Sequence, residues 1–252
     1  MGLDHKLRFP QDDTISWSPQ IARGRPATRF PELAGAFASH PRPDPRLLHV
    51  WADLREFSRL VNDAAARGTK VSVETATGMA RSIPYRLLRL QSEKADGLLD
   101  SGVLLHELLR LCMLAYARML LVKLRGIGRK MTALADGLRS VLGAWRDSLQ
   151  LPHACPGVLP VSGDAAGRCK LLLWGSIVAS VSIFEDPDLD EQWLGWTVEE
   201  VVSVLGLQMW ADTRDALKEF LWIDAVFDGP GEQLFWRCML QGTAQPPPAC
   251  TF

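Results

Sequence analysis

The chain has 252 residues, 47% of them hydrophobic, which is ample for a buried core without disulfides or a structural metal. Its 28 Lys and Arg against 29 Asp and Glu leave a formal charge of -1. That balance excludes a global field drawing the chain onto nucleic acid or an anionic membrane, so any such contact must be local. The five cysteines, Cys112, Cys155, Cys169, Cys238 and Cys250, are scattered, never form C-x-x-C, and read as reduced thiols of a cytosolic or nuclear protein.

At the start, Met1 to Lys6 has no apolar signal region and no myristoylation pattern, and Cys250 stands one place too late for prenylation. Residues 1–43 are rich in Pro, Arg, Ser and Gly, with Phe9-Pro10, Phe30-Pro31 and Pro41-Arg42-Pro43, and predict an extended or disordered arm carrying at most isolated aromatic anchors. Within it, Arg23-Gly24-Arg25-Pro26 matches the core of an AT-hook, whose arginines enter the narrow minor groove. Ala22 and Ala27 stand where basic neighbours would add phosphate contacts, so Arg23 and Arg25 are weak candidates for DNA contact.

From Asp44 onward helical punctuation dominates. Asp44-Pro45 is an N-cap with proline at the first helical position, and the stripe Leu47, Val50, Trp51, Leu54, Phe57, Val61 runs to a C-cap at Gly68. A short helix follows from Pro84 to Gln91. Between Ser101 and Leu124, His106, Glu107, Arg110, Arg118 and Arg125 form one polar stripe on an otherwise apolar cylinder, predicting a helix at the centre of a bundle. Ile127, Met131, Leu134, Leu138, Val141, Trp145 and Leu149 make a single narrow seam, so the next helix should lean on the bundle from outside.

His153 to Gly167 reads as a long loop closing at an Asp164 N-cap, followed by a buried core helix over the uncharged run Leu171 to Phe184. That run is too short for the roughly 20 residues a bilayer span requires. Asp186-Pro187 opens a short acidic helix that Gly195 ends, and Thr197 with Glu200 caps a helix over Val198 to Met209. Asp212 with Asp215 caps another through Phe227, and a last helix covers Gly231 to about Leu240 before a frayed tail. The expected fold is all-α: an irregular multi-helix bundle of about eight helices over residues 44–241, with a 242–252 tail.

Three segments now carry a resemblance. Pro84 to Leu90, His106 to Tyr116, and Phe220 to Asp228 with Leu234-Phe235-Trp236, joined by Leu171 to Trp174, occur in an order and spacing that resembles the fungal-specific transcription factor domain. This is the C-terminal regulatory domain of zinc-binuclear-cluster fungal transcription factors, and the resemblance covers roughly residues 45 to 240. It implies an all-helical nuclear domain that regulates transcription and has no chemistry, cofactor or metal of its own. The partners implied are proteins of the transcription machinery or a zinc-cluster factor, through a homo- or heterodimer, with a small effector between helices as a further option. The family reads DNA with a separate six-cysteine cluster, and here no cysteine precedes Cys112, so that module cannot be built. The expectation is either a reading frame shortened at its start or a stand-alone relative of the regulatory domain.

Other segments carry partial signatures of further chemistry. Lys123, Arg125, Arg129 and Lys130 cluster at a helix boundary, where favourable charge at a C-terminus explains the first two. Asp186, Asp188 and Asp190 alternate like a calcium loop, but Glu191 and Thr197 occupy positions that require glycine and glutamate. The same stretch invites comparison with the aspartate-rich motif of terpene synthases, giving an all-α enzyme as the alternative function and an AT-hook-type minor-groove binder as a third. The companion metal motif is missing, and neither Ser162 nor Ser176 belongs to G-x-S-x-G. No catalytic residue is therefore expected. His106 reads as a surface or satisfied histidine and Cys112 as an inert buried thiol. Asp224 is the polar residue singled out: its spacing from Leu217, Phe220 and Phe227 sets a carboxylate beside an apolar stripe, so it should be a structural buried polar group paired with an arginine or backbone amide.

Overall fold

The computed structural model describes residues 30–37, 44–90, 101–125, 131–149, 163–184 and 187–242, the side chains of 101, 120–125, 187–192 and 241–242 excepted. Every regular element among them is a helix: α1 (Pro31–Phe37), α2 (Pro45–Ala66), α3 (Val73–Arg89), α4 (Ser101–Arg125), α5 (Thr132–Ser148), α6 (Gly163–Ser182), α7 (Pro187–Val204), α8 (Trp210–Lys218) and α9 (Asp224–Gly242). The all-α expectation is met, with nine helices among the described residues against an expectation of about eight.

The caps of α2 follow the sequence. Asp44 accepts from the Arg46 N–H at 2.7 Å, and Pro45 opens the helix. At its end Gly68 takes φ 65°, its N–H bonds to Ala65 O, and the Thr69 N–H reaches back to Ala64 O at 2.8 Å. This pair of bonds is the Schellman closure, which only a left-handed residue permits.

Four boundaries depart from the sequence reading. The helix expected from Pro84 begins at Val73, capped by Ser72, whose hydroxyl accepts from the Thr75 N–H at 3.1 Å, and runs through Pro84. Burial of Met79, Ala80, Ile83 and Leu87 on one face outweighs the hydrogen bond that proline removes. Gly195 does not end α7; it is buried inside it, and Thr197 donates to Trp193 O instead of capping a new helix. α7 stops at Gly206, where φ 68° and a bond from Leu207 N–H to Val202 O repeat the Schellman closure. α6 starts at Gly163, with Asp164 in its first turn rather than at the cap.

The fourth departure is a break inside the helix expected from Asp212 to Phe227. Phe220, Leu221, Trp222 and Ile223 are 4%, 0%, 3% and 1% exposed. The helix breaks between Lys218 and Asp224, and all four side chains of the corner lie in the core. Two freed carbonyls find side-chain donors: Trp174 Nε1 bonds to Leu221 O at 2.9 Å and Asn62 Nδ2 to Trp222 O at 2.9 Å. α9 then begins at Asp224 and passes through Gly229-Pro230, so the last helix starts well before Gly231.

The centre of the bundle is α6 rather than α4. α6 packs against α1, α4, α5, α7, α8 and α9, and its Leu171 to Ala179 are buried throughout. α4 is enclosed by α2, α3, α5 and α6, and Arg110, expected on a polar stripe, is only 4% exposed and pairs with Glu107. α5 leans on α4 and α6 through Leu134, Leu138, Val141, Leu142 and Trp145, as its single seam predicts. Met131 of that seam is exposed, and Ile127 lies outside the described residues.

The arm also needs correction. Residues 31–37 are helical and docked, with Leu33 and Ala36 fully buried against α6, while 1–29 and 38–43 lie outside the described residues. At the other end, helix continues to Gly242 and 243–252 are likewise outside.

Candidate functional site

Asp224 stands at the first turn of α9, where the positive end of the helix favours a carboxylate. Its Oδ2 accepts from Lys218 Nζ at 2.8 Å and from Arg214 Nη2 at 3.4 Å. An arginine reaches it, but the side chain is 39% exposed, so the buried position expected for it is corrected to half-buried. The corner at 220–223 is the reason: it moves Asp224 from the middle of a helix to its start. One carboxylate oxygen, Oδ1, is enclosed without a hydrogen-bond partner.

A second acid, Asp228, lies one turn further on and is better held. Arg214 grips it through Nε to Oδ1 at 3.0 Å and Nη2 to Oδ2 at 2.6 Å, and Trp222 Nε1 donates to Oδ1 at 2.8 Å. Burial pushes the Asp228 carboxyl up, but the Arg214 and Trp222 hydrogen bonds outweigh it and hold the group below the ordinary aspartate range. Asn62 of α2 closes the cluster, donating to Trp222 O and accepting from the Asp224 N–H at 3.0 Å. The arrangement is a bracket tying α2, α8 and α9 together. Sequence reading found Asp224 and missed Asp228, although their spacing of four on one helix is a readable signal.

Other residues weighed from sequence fall as follows. His106 is half-buried with an enclosed, unbonded Nε2, and burial pushes its imidazole below the ordinary range, so it is not satisfied in the way expected. Cys112 is fully buried and desolvation drives its thiol far up; Cys169, buried on α6, is pushed up to about 11. Ser176 is fully buried with an unbonded hydroxyl on a helix. Arg23, Arg25, Ser162 and Asp186 lie outside the described residues, as do the side chains of Lys123, Arg125, Arg129, Lys130, Asp188 and Asp190. Among the described residues no group of three or more His, Cys, Asp or Glu is placed to hold a metal, and no helix is long and apolar enough to cross a membrane.

The segments that carry the family resemblance meet in space. Arg110 on α4 donates to Leu87 O on α3 at 3.4 Å, Tyr116 on α4 stacks on Phe227 of α9 at 5.1 Å, and Trp174 on α6 stacks on Phe220 at 5.8 Å. Tyr116 OH donates to Ser58 Oγ at 2.6 Å, which itself donates to Leu54 O. Outside this core, α3 turns Arg81, Tyr85, Leu88 and Arg89 to solvent, with Tyr85 52% and Leu88 59% exposed. The Arg89 guanidinium lies 4.8 Å over the Tyr85 ring.

Comparison of the chain with protein-family models, with curated proteins and with solved structures finds no match in any of the three.

Proposed function

We propose that this chain is a nuclear regulatory and protein-interaction module of transcription, of the kind found beside fungal zinc-cluster DNA-binding domains. The observation that carries the reading is the convergence of the resembling segments on one core, through Arg110–Leu87, Tyr116–Phe227 and Trp174–Phe220. A regulatory domain of this kind acts by contact. The outer face of α3 offers what such contact uses: Tyr85 among Arg81 and Arg89, residue types enriched at interface hot spots, with the exposed Leu88 adding apolar area beside them.

The test is a tethering assay in a fungal host. Fused to an unrelated DNA-binding domain, the chain should change transcription of a reporter severalfold relative to that domain alone. Tyr85→Ala with Leu88→Ala should abolish the change without altering the melting curve, because both side chains are exposed. A fused chain that accumulates in the nucleus and leaves the reporter unmoved defeats the proposal.

A further inference from the structure

α1 is the shortest helix among the described residues. Seven residues do not sustain a helix in water, because isolated helices under about 12 residues are marginal. Pro31–Phe37 is therefore helical by virtue of what it touches. On the α6 side, Gly35 meets Gly167 so closely that a Cβ built on Gly35 would lie 3.0 Å from the Gly167 Cα, and one on Gly167 2.9 Å from the Gly35 Cα. On the α2 side, the Glu32 carboxylate accepts from Trp51 Nε1 at 3.1 Å and Arg55 Nη1 at 2.9 Å. The Glu32 side chain is 3% exposed while that of Arg55 is 45% exposed, so the acid is sealed by docking and its cation stays near water. A receptor built this way keeps its charge hydrated when the groove is vacated, and gains a charge-assisted pair only when an acid arrives.

We propose that the α2–α6 groove is a peptide-docking site, filled in cis by α1, that receives a helical segment of a partner protein carrying the same chemistry. That chemistry is a glutamate, a leucine beside it, a glycine three places on and an aromatic five places on, as in Glu32, Leu33, Gly35 and Phe37. Such a segment lays an apolar face into the cleft and presents its acid to a Trp–Arg pair, the helix-in-groove mode of recognition. The inference goes beyond the transcription reading and does not rest on it.

The experiment uses the full chain with Gly35→Val, whose own α1 cannot seat against Gly167, titrated with a fluorescent peptide of residues 28–39. Binding should be saturable, one to one, and at least tenfold tighter than to the unsubstituted chain, where the tethered α1 competes at high effective concentration. A Glu32→Ala change in the peptide should weaken binding at least tenfold. Equal binding to both chains, or none to a folded Gly35→Val chain, overturns the proposal. Hydrogen exchange on the unsubstituted chain gives an independent reading: α1 amides should exchange at least tenfold faster than those of α6, and exchange only on global unfolding would mean the cis helix cannot be displaced. An unsubstituted chain that sediments as a dimer, and that excess peptide dissociates, would put a second copy in the groove and overturn the partner assignment.

Discussion

Asp228 and Asp224 sit one turn apart on α9, yet their surroundings serve them unequally. Asp228 has a two-pronged arginine and an indole N–H, whereas Asp224 has one flexible ammonium and a long contact to Arg214. Asp228→Ala should therefore cost about 1–2 kcal/mol in urea unfolding and Asp224→Ala less than about 1 kcal/mol, both pairs being partly exposed. The reverse order would refute the geometric argument. Because the folded-state pKa of Asp228 is lowered, its contribution is present above the unfolded value near 4 and is lost as pH falls through the lower folded value. The gap between wild type and Asp228→Ala should hold steady near neutrality and close as acidification passes below the ordinary aspartate range. The need for a partner at Asp224 was readable from its apolar neighbours. Its actual cations were not, because Lys218 and Arg214 face it only across the corner at 220–223, which no glycine or proline announces.

That corner belongs to a wider pattern among the helices. Gly195 reads as a stop and Pro84 as a start, yet α7 and α3 run through them, since a continuous buried face decides more than one weak residue. The reverse holds at Phe220 to Ile223, where a stretch patterned as helix breaks and its four large side chains are buried at the corner. Local propensity foretells ends only where the backbone itself demands a residue type. Gly68 and Gly206 are both left-handed, although only Gly68 was legible as an end, the helix over Val198 to Met209 having been expected to pass Gly206; no atom lies within 4 Å of a Cβ built on either, so a substitution there meets backbone strain alone. Gly206→Ala should destabilise by about 1–2 kcal/mol, read as a lowered thermal midpoint, and Gly68→Ala similarly. An unchanged midpoint for both would mean that these ends are frayed in solution.

Taken whole, the helical class and the outer seat of α5 were legible because oily residues recur every three to four places, and the enclosure of α4 and α6 because their apolar residues run almost all round the cylinder. The docking of α1 was not legible, since seven residues are too few to show a period and the fit depends on Gly167, far along the chain. One consequence concerns the sulfur atoms. Cys112, Cys169 and Cys238 are 0%, 1% and 3% exposed on α4, α6 and α9, with Cys112 Sγ lying 3.0 Å from where a Gly175 Cβ would stand. A colorimetric disulfide reagent should thus find none of the three in the native chain once Cys155 and Cys250 are replaced by serine, and all three together once denaturant is added. Reaction of Cys238 ahead of the other two would show instead that α9 peels away alone, giving the molecule a built-in clock for the order in which its layers come apart.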